Sequence, residues 1–269
     1  MDQQLDPFPT LTTEGALIDA AARHGGVLRT ARNSAALAQV AKAGHGISSL
    51  WATKIAAGLV AKGRAIRIER GAYAVADAFG RIEPFAVGPE LVDRGYTSLW
   101  SAADHYNLTT QDVSIVSVVT DRFKPAVEIG GLGFQVTFHK TSIDRIFGYV
   151  DVPLGSTMGR MAEVERLLID LIWFHGTPGA PPASQVLAIW DTAFSENRAN
   201  PYIVAEYAAR MRSQVLVRRV GYLLERFGQP GADRLPKWRA GDRAPISLLP
   251  GDTLAVPTSN TWGIKGEAA

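Results

Sequence analysis

Between residues 48 and 70 the chain gathers side chains suited to recognising a polyanion: Ser48, Ser49, Leu50, Thr53 and Lys54, then Arg64, Arg67 and Arg70. Hydroxyls at a helix start donate to phosphate, and a lysine or threonine on the same face reaches base edges or phosphates. Leu50 suits the methyl group of thymine, and a guanidinium forks onto phosphate or enters a minor groove. These residue types bind; none of them makes or breaks a covalent bond here. The competing reading is a solvated basic surface without a partner. Trp51 is a stacking residue by type. At 100° per residue, however, it falls on an inward stripe with Ala52, Ile55, Ala56 and Leu59, and a core position is expected.

Constellations for catalysis are sparse. The five histidines (His24, His45, His105, His139 and His175) show no HxH or HExxH spacing, so no metal site and no cofactor is assigned. Asp121, Glu128 and Lys140 supply two carboxylates and a lysine, but they lack the E-x-K pairing that sets a lysine beside a metal ligand on one strand. Gly130 to Gly133 lies between two predicted strands rather than ahead of a helix, and reads as a turn and not a phosphate loop. Glu163, Glu165 and Asp170 form an acidic helix start in which Arg166 pairs with Asp170 at i, i+4. The absence of cysteine excludes disulfides, thiolate metal sites, iron–sulfur clusters and cysteine nucleophiles together. No catalytic residue is assigned, and the expectation is a protein that is not an enzyme.

The elements that must position the 48–70 set are legible by periodicity. Helices are predicted over 14–24, 34–43 and 48–62, with Ser48 capping the third and Gly63 ending it. Residues 27–30 form an extended connector. Ala65 to Ile68 and Ala72 to Val75 flank the turn Glu69-Arg70-Gly71 as a hairpin. Three helices and a hairpin make a winged helix-turn-helix, whose third helix enters a major groove while the hairpin holds phosphates. A linker is placed at 76–90, where Pro84 and Pro89 interrupt the pattern. Beyond it come a helix at 98–106, a strand at 113–120, a hairpin over 126–138, and helices over 161–174, 185–194 and 202–227. The expected fold class is α+β: a winged helix-turn-helix DNA-binding domain over 1–80, then a larger mixed α+β interaction domain over 81–269 with a small sheet and C-terminal helices.

Composition agrees with this division. The 269 residues are 46% apolar and 9% aromatic, enough for a large core and about two domains. The formal net charge of +2 is unevenly spread. Residues 20–75 carry nine bases (Arg23, Arg29, Arg32, Lys42, Lys54, Lys62, Arg64, Arg67 and Arg70) against Glu69 alone, a net +8. Residues 76–269 carry nineteen bases and twenty-one acids. No apolar run approaches the roughly 20 residues that span a bilayer, and the acidic start Met1 to Pro9 lacks a signal pattern. A cytoplasmic protein with no membrane contact is expected.

The order of these features resembles the AbiEi family, the antitoxin half of bacterial AbiE toxin–antitoxin pairs. Arg70-Gly71-Ala72-Tyr73 is similar to the family's basic-Gly-x-Tyr hairpin, and Tyr96 to Ala103 with Asn107-Leu108 to the segment that follows. Glu165 to Asp170 resembles its Pro-Glu-x-x-x-x-Asp helix start, and Arg219 to Leu224 its late helix. Val164 departs from the pattern, standing where the family often has proline. The resemblance implies an N-terminal domain that represses its own operon at inverted repeats in double-stranded DNA. It also implies a C-terminal domain that neutralises a cognate nucleotidyltransferase toxin encoded alongside. Two alternatives stand beside it: a metal-dependent nuclease guided to DNA by its winged helix, and a stand-alone ligand-sensing transcriptional regulator.

Overall fold

Serine and threonine caps set the three N-terminal helices where the sequence places them. Helix α1 (Thr13–Ala22) starts at Thr12, whose hydroxyl accepts the Gly15 amide at 3.1 Å. Strand β1 (Val27–Arg29) follows, then α2 (Ala35–Lys42) capped by Ser34 and α3 (Ser49–Ala61) capped by Ser48. Strands β2 (Ala65–Glu69) and β3 (Ala72–Val75) close a hairpin through Gly71, whose φ of 76° is the left-handed conformation that favours glycine. The computed structural model describes residues 12–32, 34–237, 244–251 and 256–265. The acidic stretch Met1 to Pro9 lies outside the described residues.

Two features of this region differ from the sequence-based expectation. The connector at 27–30 is a strand: β1 pairs antiparallel with β3, Leu28 opposite Tyr73, giving a three-stranded sheet in the order β1-β3-β2. The expected linker at 76–90 contains helix α4 (Pro84–Glu90), in which Pro84, Ala86, Val87, Gly88 and Pro89 are buried. Pro84 sits at the helix start, where its missing N–H costs nothing. At the other end the Arg29 Nε donates to the Glu90 carbonyl oxygen at 2.9 Å, supplying a partner that the helix itself cannot. Gly25 is obligatory at the α1–β1 turn: its φ is +59°, and a Cβ there would lie 2.5 Å from the Ala86 carbonyl oxygen.

The chain divides into two units. The first comprises Met1–Asp93 with Val127–Phe134 and Val152–Gly159; the second comprises Arg94–Ala126, Gln135–Asp151 and Arg160–Ala269. The first unit has its own core, built from Leu17, Ala20, Leu28, Leu37, Ala56 and Leu59 among others. Later elements are β4 (Gly95–Thr97), α5 (Leu99–His105), β5 (Ile115–Thr120), β6 (Val127–Ile129), β7 (Phe134–Lys140), β8 (Tyr149–Leu154) and β9 (Thr157–Ala162). The six strands form a mixed sheet in the order β6-β7-β5-β4-β9-β8. Strand β5 runs parallel to β7 and antiparallel to β4, whereas β4 and β9 are parallel. The sheet is larger than expected: β8 and β9 escape notice in sequence, because Pro153 interrupts the pattern of β8 and Gly159 and Arg160 that of β9.

Four helices follow: α6 (Val164–Trp173), α7 (Ala183–Ser195), α8 (Pro201–Arg210) and α9 (Gln214–Arg226). The single helix expected over 202–227 is two. Arg212 adopts φ 51°, and Ser213 caps α9 by accepting the Leu216 amide at 3.3 Å. The end of α8 is held by Arg145, whose Nε donates to the Met211 carbonyl oxygen at 3.0 Å. Short strands β10 (Ile246–Ser247) and β11 (Ile264–Lys265) pair in parallel. The fold class is mixed α+β. Among the described residues no helix is long and apolar enough to cross a membrane.

Candidate functional site

Helix α3 turns Ala52, Ala56 and Leu59 inward, a line at i, i+4, i+7. Its outer face carries Leu50 (69% exposed), Lys54 and Ala57. Trp51 corrects the expectation of a core position. It is 52% exposed, and the Lys54 Nζ stands 6.0 Å from its ring centroid. The physical reason is the narrowness of the inward line. Ala52 and Ala56 bring the helix close to a core with many alanines, and an indole displaced 100° from that line finds no volume there.

The hydroxyl residues divide by role. Ser48 caps α3 by accepting the Trp51 amide at 3.2 Å, and stays exposed. Ser49 and Thr53 are half-buried. Ser49 Oγ donates to the Thr30 carbonyl oxygen. Thr53 Oγ1 donates to the Ser49 carbonyl oxygen at 2.8 Å and is hydrogen-bonded to Thr30 Oγ1 at 3.0 Å. These contacts pin the start of α3 to the residue that follows β1, so Ser49 and Thr53 position the helix face that Leu50, Trp51 and Lys54 present.

Arg64, Arg67 and Arg70 are all exposed on or beside the β2–β3 hairpin. The register of the two strands shifts between Arg67 and Glu69, an irregularity at the basic end of the hairpin. Several cations of the 20–75 segment are engaged locally. Lys62 and Arg64 approach Glu14 at 2.9 and 4.0 Å, Arg23 pairs with Asp19 at 3.0 Å, and Arg29 binds the end of α4. Among the described residues no carboxylate pairs with Arg32, Lys42, Lys54, Arg67 or Arg70. All five are exposed, so the first unit keeps a residual positive surface around α3 and the hairpin.

The first unit also holds a cleft of about 530 Å³, lined by Ile18, Ala22, Val75, Phe79, Arg81 and Leu154 among others. Asp77 organises its rim: its carboxylate accepts the Phe79 and Arg81 amides, each at 2.8 Å, and Ser156 Oγ donates to it at 3.1 Å. The Arg81 amide hydrogen bond, partly opposed by desolvation, holds this carboxyl below its usual range. No sequence signal points to the cleft, because its walls come from three separate segments of the chain, 18–26, 75–83 and 154–157.

In the second unit the expected Arg166–Asp170 pair is present at 2.7 Å, with both side chains fully buried. Tyr96 and Ser98 donate to the other carboxylate oxygen at 3.1 and 2.9 Å. The Arg166 guanidinium carbon lies 4.5 Å from the Phe147 ring centroid. Burial, reinforced by the Asp170 charge, raises the Tyr96 phenol well above its usual range, so it remains a donor. This is a closed polar core network. His139 is buried too, near the Thr177 and Thr137 hydroxyls, and burial pushes its pKa down to about 4.

The remaining candidates lie apart from any such cluster. Asp121 approaches Arg94 at 3.6 Å, while Glu128 on β6 and Lys140 at the end of β7 are exposed. Gly131 and Gly133 take φ of 79° and 70° in the β6–β7 turn, as the sequence reading expects of a turn. Among the described residues no group of three histidine, aspartate or glutamate side chains is arranged to hold a metal ion.

No family model matches the chain, and no curated protein matches it by sequence. Among solved structures, the RV2827C protein from Mycobacterium tuberculosis is similar in fold. The TM-score is 0.54 at 13% sequence identity, over 96% of this chain and 91% of that one.

Proposed function

We propose that the chain is a DNA-binding regulator whose first unit acts as a winged helix-turn-helix, with α3 as the recognition helix and the β2–β3 hairpin as the wing. One observation carries the reading: the exposed face of α3, with Leu50, Trp51 and Lys54, is followed directly by a hairpin bearing Arg67 and Arg70, and no carboxylate among the described residues pairs with these cations. Duplex DNA offers what such a surface needs, phosphates for the cations and base edges for the helix. Taken with the AbiEi-like motifs, the proposal extends to an antitoxin. It represses its own operon at inverted repeats in the cytoplasm, and its second unit neutralises a nucleotidyltransferase toxin encoded alongside, without catalytic chemistry of its own.

The test is footprinting of the full chain on DNA upstream of its own reading frame. Protection of an inverted repeat is expected, with affinity falling steeply with salt, log K dropping by about 0.9 per phosphate contact against log salt. Binding no tighter than to random duplex overturns the regulator. Cutting of the same duplex on adding Mg²⁺ replaces it with the nuclease reading. The cleft beside Phe79 and Arg81 favours one second reading, a ligand-sensing regulator without a toxin partner. Operator affinity that shifts when small molecules from a cell extract are added supports it, and rescue of cells from an adjacent nucleotidyltransferase supports the antitoxin.

A further inference from the structure

The least economical feature of the first unit is a pair of large apolar side chains held in water on the face of α3. Leu50 is 69% exposed and Trp51 52%, and the two are consecutive, so they cover adjoining sectors of the helix surface. A helix face offered to DNA meets mostly hydrogen-bonding groups. The exception in the major groove is the C5-methyl group of thymine, which rewards an apolar contact and nothing else. Lys54 holds its ammonium 6.0 Å from the Trp51 ring centroid, so the apolar shelf has a cationic edge. The exposed Arg67 and Arg70 extend that positive charge along the hairpin. Apolar contact ringed by cations without carboxylate partners fits a ligand that presents methyl groups between phosphates. A protein partner would have to bring both an apolar patch and its own acids.

We infer that Leu50 and Trp51 together form a thymine-methyl reader that sets the preference of this protein for thymine in duplex DNA. The inference rests on the DNA-binding reading above and adds the base class that the site selects. Ser49 and Thr53 have a part in it only through Thr30, by fixing the start of α3 and hence the angle at which the two apolar side chains stand.

The experiment selects duplexes from a random pool with the full chain, then replaces each thymidine of the enriched sequence singly by deoxyuridine, which lacks only the methyl group. Thymine is expected at one or two adjacent positions. Loss of its methyl should weaken binding about three- to fivefold, the worth of one buried methyl-sized group. Leu50→Ala and Trp51→Ala, both at exposed positions, should each shrink the deoxyuridine penalty below about twofold while leaving the salt dependence unchanged. Lys54→Ala should weaken binding and keep the penalty. Equal affinity for the thymidine and deoxyuridine duplexes at every position overturns the inference, as does a penalty that survives in both apolar variants. Preference for the single strand over the duplex, lost in Trp51→Ala, also overturns it and assigns the ring to base stacking. A pool that yields no enriched sequence overturns the DNA-regulator reading itself, a failure distinct from the others.

Discussion

Single side chains here are informative mainly through what they do or do not touch. Lys54 and Arg67 are both exposed cations, yet one stands on the outer face of α3 and the other on the hairpin. If helix and wing act as proposed, Lys54→Ala should cost about 1–3 kcal/mol at the preferred sequence and relax selectivity at the base pair Lys54 reaches, while the thymine-methyl preference is kept. Arg67→Ala should weaken specific and random duplex alike and lower the salt slope by about one. Titrations on both duplexes at several salt concentrations separate the two; identical behaviour of the variants removes the assignment. His139 makes a different residue-level prediction. Its folded pKa of about 4 lies below the ordinary value of 6.5, so well above pH 6.5 neither state is protonated and the residue contributes no pH dependence. As pH falls from 6.5 to 4 the unfolded chain takes up a proton that the folded one refuses, and about 3 kcal/mol of stability is lost. Urea midpoints at pH 7, 5.5 and 4.5 should fall less in His139→Gln than in the parent; equal slopes remove the claim.

At the scale of elements, capping and pairing explain where segments begin and why some turn polar groups inward. Helix α6 carries an arginine and an aspartate into the core, both fully buried, where Tyr96 and Ser98 satisfy the second carboxylate oxygen. Asp170→Ala leaves the Arg166 cation buried without its counter-ion and should cost about 3–5 kcal/mol. Arg166→Met combined with Asp170→Asn removes both charges and keeps an acceptor for the two hydroxyls, so it should cost distinctly less than the single change. Denaturant unfolding of the two variants checks the order. If the double variant is the less stable, the network contributes through its charges rather than through its hydrogen bonds.

For the molecule as a whole, the proposal assigns DNA recognition to the first unit and toxin neutralisation to the second. The positive excess is confined to residues 20–75, and residues 76–269 have nineteen bases against twenty-one acids. The full chain carrying Lys54→Ala, Arg67→Ala and Arg70→Ala should therefore lose repression while keeping its fold, since all three positions are exposed. Growth of cells expressing the toxin should still be rescued, with antitoxin levels checked by blot. If a stable triple variant loses rescue as completely as repression, one surface serves both activities and the division of labour is wrong. The full chain is the proper vehicle, because the first unit draws on 127–134 and 152–159 as well as 1–93 and no single cut isolates it.

Features within one turn or one hairpin were legible in the sequence. The Ser48 cap, the helices at 13–22, 35–42 and 49–61, the Arg70-Gly71 turn and the Arg166–Asp170 pair all follow from spacing and local hydrogen-bonding capacity. What the sequence could not carry was any property that depends on what a segment meets. Periodicity gives the direction in which Trp51 points, but the volume left by Ala52 and Ala56 puts it in water. Residues 27–29 are a strand only because β3 supplies hydrogen bonds 45 residues later, and 84–90 is a helix whose last carbonyl waits for Arg29. Strands β8 and β9 have weak alternation of their own and are held by pairing, while the cleft exists only where distant segments meet. Backbone hydrogen bonds within a helix are local and can be read along the chain; packing volume and strand partnership are not, and the tertiary structure alone settles them.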